Sequence, residues 1–164
     1  MADENLGEPL ANGEDTGPAV GVLTQYVKDF SFENPNAPGI YQTAVSPAVD
    51  VQFNIGQQQV AEDVYEVVLK IEVKAQHEGQ VAFLVDLSYA GLFGMRNIPA
   101  EALEPFLLGE APRLLFPFAR RILADAVRDG SFPPLMLEPI DFGGLYLQRM
   151  QAGEIGEGAG AGNA

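Results

Sequence analysis

The chain contains no cysteine, no tryptophan and a single histidine, His77. Without cysteine, neither disulfides nor thiolate chemistry is available, so folding needs no oxidising compartment. With one histidine, metal clusters built on several histidines and histidine-dependent dyads lack a second member. His77 falls in a short turn, His77-Glu78-Gly79, where it is expected to be solvated. Lys and Arg number nine against 23 Asp and Glu, a net charge of −14. That balance argues against binding nucleic acid or an anionic membrane, both of which need clustered positive charge. No run approaches the roughly 18 consecutive apolar residues of a membrane-spanning helix. The start, MADENLGEPLANGEDTGP, has neither the basic nor the apolar region of a signal peptide. Neither G-x-S-x-G nor a Walker motif occurs, and the terminal GEGAGAG follows no strand and opens no helix. These absences predict a soluble cytoplasmic protein with no cofactor.

What is present is enough for one domain: 164 residues, 47% of them hydrophobic. Residues 1–21 hold five acids and no Lys or Arg, and residues 151–164, QAGEIGEGAGAGNA, are Gly/Ala-rich with two more acids. Both segments bury too little to offset their ordering entropy, so a disordered acidic tail and a flexible Gly/Ala-rich tail are expected around a domain at 22–150. Within it, period-2 alternation marks strands over 22–33, 48–55, 62–76 and 80–90. In the first, Asp29, Ser31 and Glu33 share one face and Phe30 and Phe32 the other. In the second, Val49, Val51, Phe53 and Ile55 oppose Asp50, Gln52 and Asn54. The third turns Tyr65, Val67, Leu69, Ile71 and Val73 inward, with Glu66, Lys70, Glu72 and Lys74 mostly outward. In the fourth, Val81, Phe83, Val85, Leu87 and Tyr89 face in, and Ala82, Leu84, Asp86 and Ser88 out. Four such strands in succession predict a meander-like antiparallel sheet with one solvated face.

The period then changes to that of helices. A short helix is expected over 99–108, stopped by Gly109, and a longer one over 113–129, RLLFPFARRILADAVRD, ended by Gly130 as a C′ residue. The stretch SFPPLMLEPI is kept extended by Pro133, Pro134 and Pro139, and a last helix spans 142–150. Strands first and helices afterwards mean an α+β fold, a four-stranded antiparallel sheet with helices packed on one face. Paired acids at Glu62-Asp63, Glu101/Glu104 and Asp29/Glu33 read as solvated rather than catalytic; for Asp29 and Glu33, strand neighbours at i and i+4 stand about 13 Å apart, too far to share a proton. Two features ask for more. Apolar side chains occupy proline-rich, non-helical segments: Ile40, Tyr41 and Val45 in the first, Phe132, Leu135, Met136 and Leu137 in the second. For any single one of them, capping the ends of the core is a sufficient account. The other feature is the acidic open face, where Leu84 sits on the same pleat as Asp86.

Four blocks in order, KDFSFENPNAP (28–38), AEDVYEVVLKIEV (61–73), LLFPFARRIL (114–123) and DGSFPPLMLEPIDFGGLY (129–146), resemble the SecB family of protein-export chaperones across residues 22–150. The resemblance implies an ATP-independent holdase that binds unfolded precursor proteins in the bacterial cytoplasm and delivers them to SecA, the motor of the Sec translocase. It implies a homotetramer, a dimer of dimers. It places the SecA-binding surface at Asp29, Glu33, Leu84 and Asp86. The client groove falls on residues 34–47, the apolar arc of 113–129 and residues 131–142, giving Ile40, Tyr41, Val45, Phe132, Leu135, Met136, Leu137 and Phe142 as groove residues. Three departures stand out: the long acidic N-terminal extension, an aspartate at position 86 where glutamate is usual, and a C-terminal tail whose only charges are Glu154 and Glu157. Two rivals remain open beside this reading. One is a chaperone dedicated to a single partner such as an antitoxin. The other is a small hotdog-like enzyme, whose long central helix would come early in the chain rather than after all four strands.

Overall fold

The computed structural model describes residues 17–153; most of both expected tails lies outside that range. Four strands, β1 (Ala19–Glu33), β2 (Ala48–Ala61), β3 (Val64–His77) and β4 (Gln80–Arg96), form one antiparallel sheet. β1 begins three residues inside the stretch expected to be a tail, and β2 and β4 run six residues past their expected ends. Backbone pairing explains the extension. Residues such as Gly56-Gln57-Gln58 have no alternation of their own but lie opposite Val68, Val67 and Glu66 of β3, whose ladder carries them.

The order across the sheet is β1-β4-β3-β2. β2, β3 and β4 form the expected meander, but β1 does not stand beside β2. The turns fix the meander. β3 and β4 are joined through Glu78 and Gly79, with φ of 51° and 81°, the left-handed pair that a tight hairpin needs. β2 reaches β3 through Glu62 and Asp63, the latter at φ 59°. The meander leaves two free edges, those of β2 and β4, and the long segment 34–47 lets β1 cross to the β4 edge.

On the helical side, α1 (Ala100–Pro105) does not stop at Gly109. It passes through one π-helical turn, Phe106–Glu110, directly into α2 (Ala111–Asp129). Gly109 serves close approach instead: a Cβ there would lie 3.2 Å from the Gly143 Cα of α3 (Phe142–Gln151). Gly130 also differs from its expected role. Its φ is −84°, and it is Ser131 that takes the left-handed conformation, at φ 68°. What Gly130 supplies is space, since a Cβ there would come within 2.5 Å of the Phe32 ring.

The core lies between the helices and one face of the sheet. Val67, Leu69, Ile71, Phe83, Val85 and Leu87 from β3 and β4 meet Leu115, Phe116, Ala119, Leu123 and Val127 of α2, all buried. Ala82 departs from its outward assignment. A bulge in β4 leaves Ala82 without an opposite residue, and Ala82 is buried rather than outward. After a turn at Ser131 and Phe132, residues 133–140 form no helix or strand and lead from Phe132, bonded to Val127, to Phe142, 5.8 Å between ring centres from Phe116.

Candidate functional site: two faces of one sheet

The register places all four acidic-face candidates on the side away from the helices. Asp29 lies opposite Ser88, Ser31 opposite Asp86 and Glu33 opposite Leu84, so the side chains share a pleat. Strand order brings in what alternation alone left unplaced. The row Glu33-Leu84 continues into Lys74 and Asp50, and the row Ser31-Asp86 into Glu72 and Gln52. Together these residues line a shallow trough of about 390 Å³ to which every strand contributes one carboxylate: Glu33, Asp86, Glu72 and Asp50. Asp29 stands one row further along, outside the trough. Asp50 and Glu72 were legible as outward-facing but not as members of a site, because nothing short of the strand order sets them beside Asp86. Asp86 Oδ1 is buried and accepts no hydrogen bond among the described residues, an acceptor that a docking cation could satisfy. Lys70 is partly committed to Glu72, 3.6 Å away, and the net sign of the trough is negative.

Further along this face, Glu66 is buried, at 6% exposure, where an outward position was expected. Tyr26 donates to its Oε2, Lys28 Nζ lies 2.9 and 3.0 Å from its two oxygens, and Gln58 Nε2 donates at 3.1 Å. One carboxylate of β3 thus ties down β1 and β2, with β4 between β1 and β3. A bulge at Lys28 in β1 accompanies the arrangement. The bond from Tyr26, then those from Lys28, hold the Glu66 carboxyl below its ordinary value of 4.5, while burial and then Glu66 push the Tyr26 phenol up to about 12. A lowered carboxyl favours the fold when ionised. Its contribution is full above the ordinary carboxylate value and is lost as pH falls through the lowered one. Glu66→Gln is therefore expected to lower stability at neutral pH and to flatten the decline below about pH 4.5. Thermal midpoints of both proteins across the acid range test this, and parallel curves would refute it.

On the other face, the groove candidates separate into two depths. Ile40, Phe132 and Phe142 are buried, at 4%, 3% and 1%, so they are core rather than free lining. Tyr41 and Met136 are exposed, and Val45, Leu135 and Leu137 are half-buried against the core. The reason is aromatic packing. Phe132 contacts Phe83 and Tyr41 at 5.0 and 5.6 Å, and Phe142 contacts Phe53 at 6.1 Å. Tyr41 also donates its hydroxyl to Gly130 O at 2.7 Å, fastening the loop 34–47 to the end of α2. His77 belongs to the same end. It is not a solvated turn residue; its side chain is 14% exposed and Nδ1 accepts the Ser46 N–H at 3.4 Å. Among the described residues, no helix is long and apolar enough to cross a membrane.

An antiparallel sheet with an anionic trough on one side and a loop, a helix and an extended segment on the other defines a binding protein of SecB-like α+β fold. The hotdog alternative fails because α2 follows all four strands and lies along one face. The family described as preprotein translocase subunit SecB matches residues 13–153, and the chain belongs to it. Proteins named protein-export protein SecB are 63% identical over 152 residues in Rhizorhabdus wittichii, with 92% of each chain covered, and 55% identical over the whole of both chains in Sphingopyxis alaskensis. The Mycobacterium tuberculosis SecB-like chaperone Rv1957, solved with a ChAD peptide from the HigA1 antitoxin, shares the fold. The TM-score is 0.62 at 18% identity, with 74% of this chain and 90% of that one covered.

Proposed function

We propose that the protein is an ATP-independent holdase for protein export in the bacterial cytoplasm. It binds unfolded precursor proteins over the surface formed by the loop 34–47, α2 and residues 131–142, and passes them to SecA docked on the open face. Asp29, Glu33, Leu84 and Asp86 would meet SecA, with Asp50 and Glu72 completing the anionic surface. Tyr41 and Met136 would touch the client first, over Val45, Leu135 and Leu137, while Ile40, Phe132 and Phe142 support them from below. Binding of varied clients must rest on non-directional apolar burial, worth about 25 cal/mol per Å², and a flexible exposed methionine suits it. The observation that carries the reading is that one sheet separates these two chemistries on opposite faces.

Self-association fits the same reading. Val20, Val22, Val27 and Phe30 of β1 point to the helix side, opposite Met95, Phe93, Tyr89 and Leu87, yet remain 40–46% exposed because no helix covers them. A second copy laid against this strip would bury it, as expected of a dimer of dimers.

The test is to dilute an unfolded precursor into buffer containing the protein at one tetramer per chain, without nucleotide. Refolding or aggregation of the precursor should slow markedly. An unchanged rate would remove the holdase assignment.

A further inference from the structure

We propose that Arg120 is the positioning residue of the client surface, the tether that holds the extended segment 133–139 alongside α2; this rests on the holdase reading above. The segment cannot hold itself. Pro133, Pro134 and Pro139 have no N–H, and none of Leu135, Met136, Leu137 or Glu138 takes part in a backbone–backbone hydrogen bond. Among the described residues, the nearest backbone bonds lie beyond its ends: Phe132 N donates to Val127 O of α2, and Phe142 N makes only a local bond to Ile140 O. Between them, the polar link among the described residues is Arg120 Nη1 donating to Leu137 O at 3.1 Å.

The other arginines of α2 behave differently. Arg113 pairs with Glu110, and Arg121 and Arg128 both pair with Asp125. Among the described residues Arg120 forms no ion pair. Its guanidinium lies 5.4 Å from the centre of the Phe116 ring and is directed to a main-chain carbonyl. A planar group stacked on a buried ring is fixed in two dimensions, so it sets where the carbonyl sits as well as whether it is bonded. Leu135 and Leu137 then turn toward the core and Met136, 61% exposed, turns out, which is the alternation that presents an apolar edge to a bound chain.

The absence of cysteine makes the test direct. A nitroxide on Met136→Cys reports the order of the segment at one site. Adding Arg120→Met, which keeps the stem over Phe116 and removes the donor, should raise the label's mobility. In the unlabelled protein it should weaken binding of a urea-unfolded precursor roughly tenfold, with circular dichroism unchanged and only a small loss in thermal midpoint. Arg120→Lys should recover part of both effects. An immobile label in the Arg120→Met protein overturns the proposal, as does a mobile label with undiminished precursor binding. If Arg120→Met fails to fold, Arg120→Gln is judged by the same two readings. Should the unsubstituted protein bind no unfolded chain, the holdase reading falls, and the label alone decides the tether.

Discussion

The double substitution Asp29→Ala/Glu33→Ala is expected to weaken SecA binding by up to about thirtyfold at low salt while leaving client binding intact. Exposed charge pairs are worth up to about 1 kcal/mol each, and about 1.4 kcal/mol is tenfold in affinity, so about thirtyfold is the upper end for two such losses. Glu33 sits at the rim of the trough and Asp29 one row beyond it, while Asp50, Glu72 and Asp86 remain to hold part of the attraction. The effect should fall mainly on the association rate and shrink as ionic strength rises, because these carboxylates are solvent-exposed. Titration of SecA against both proteins at two salt concentrations measures it. Client binding serves as the internal control, since the proposed client surface lies across the sheet. A matching loss of both activities would show that the acidic face had been assigned the wrong partner.

Phe83→Ala is expected to produce the largest loss of stability, about 3–5 kcal/mol, the usual cost of emptying a large buried aromatic site. Phe83 is 2% exposed and stands in the middle of a file of rings: Phe32 lies 6.0 Å to one side, and Phe132 lies 5.0 Å to the other and leads to Tyr41. The cavity would undermine both the end of α2 and the loop 34–47, so client binding should fall together with the thermal midpoint. Phe83→Leu keeps much of the volume and should cost far less. Thermal unfolding at fixed protein concentration distinguishes the two. A loss below about 1 kcal/mol for Phe83→Ala would mean that neighbouring rings refill the site.

Much of this was legible in the chain itself. Alternation in DFSFE, VDVQFNI and LVDLS assigned faces correctly because each pleat has one wet side and one dry side, and the arc of α2 followed from its 3.6-residue period. What was hidden depends on residues far apart. The place of β1 is a choice between two free edges, β2 and β4, that local pattern does not make. Glu66 looks like any outward acid until Tyr26, Lys28 and Gln58 arrive from two other strands. Gly109 reads as a stop when only local propensity is weighed, and as a contact point once Gly143 lies against it. Ile40, Phe132 and Phe142 mislead in the opposite direction. Proline-rich context, and for Phe142 the family resemblance alone, suggested lining, but a large apolar side chain there serves the core just as well.

The strand order also bears on how the molecule is made. β1 is the first strand to leave the ribosome, yet its partner β4 is the last, and their ladder joins Ala19 to Arg96. Until Gln80–Arg96 has been translated, Val20, Val22, Val27, Phe30 and Phe32 have no sheet to enter, whereas β3 and β4 can zip together across a two-residue turn as soon as they emerge. Nucleation therefore belongs to the local hairpin and closure to the long loop. While residues 34–96 are being made, the N-terminal strand is itself a greasy nascent segment awaiting cover.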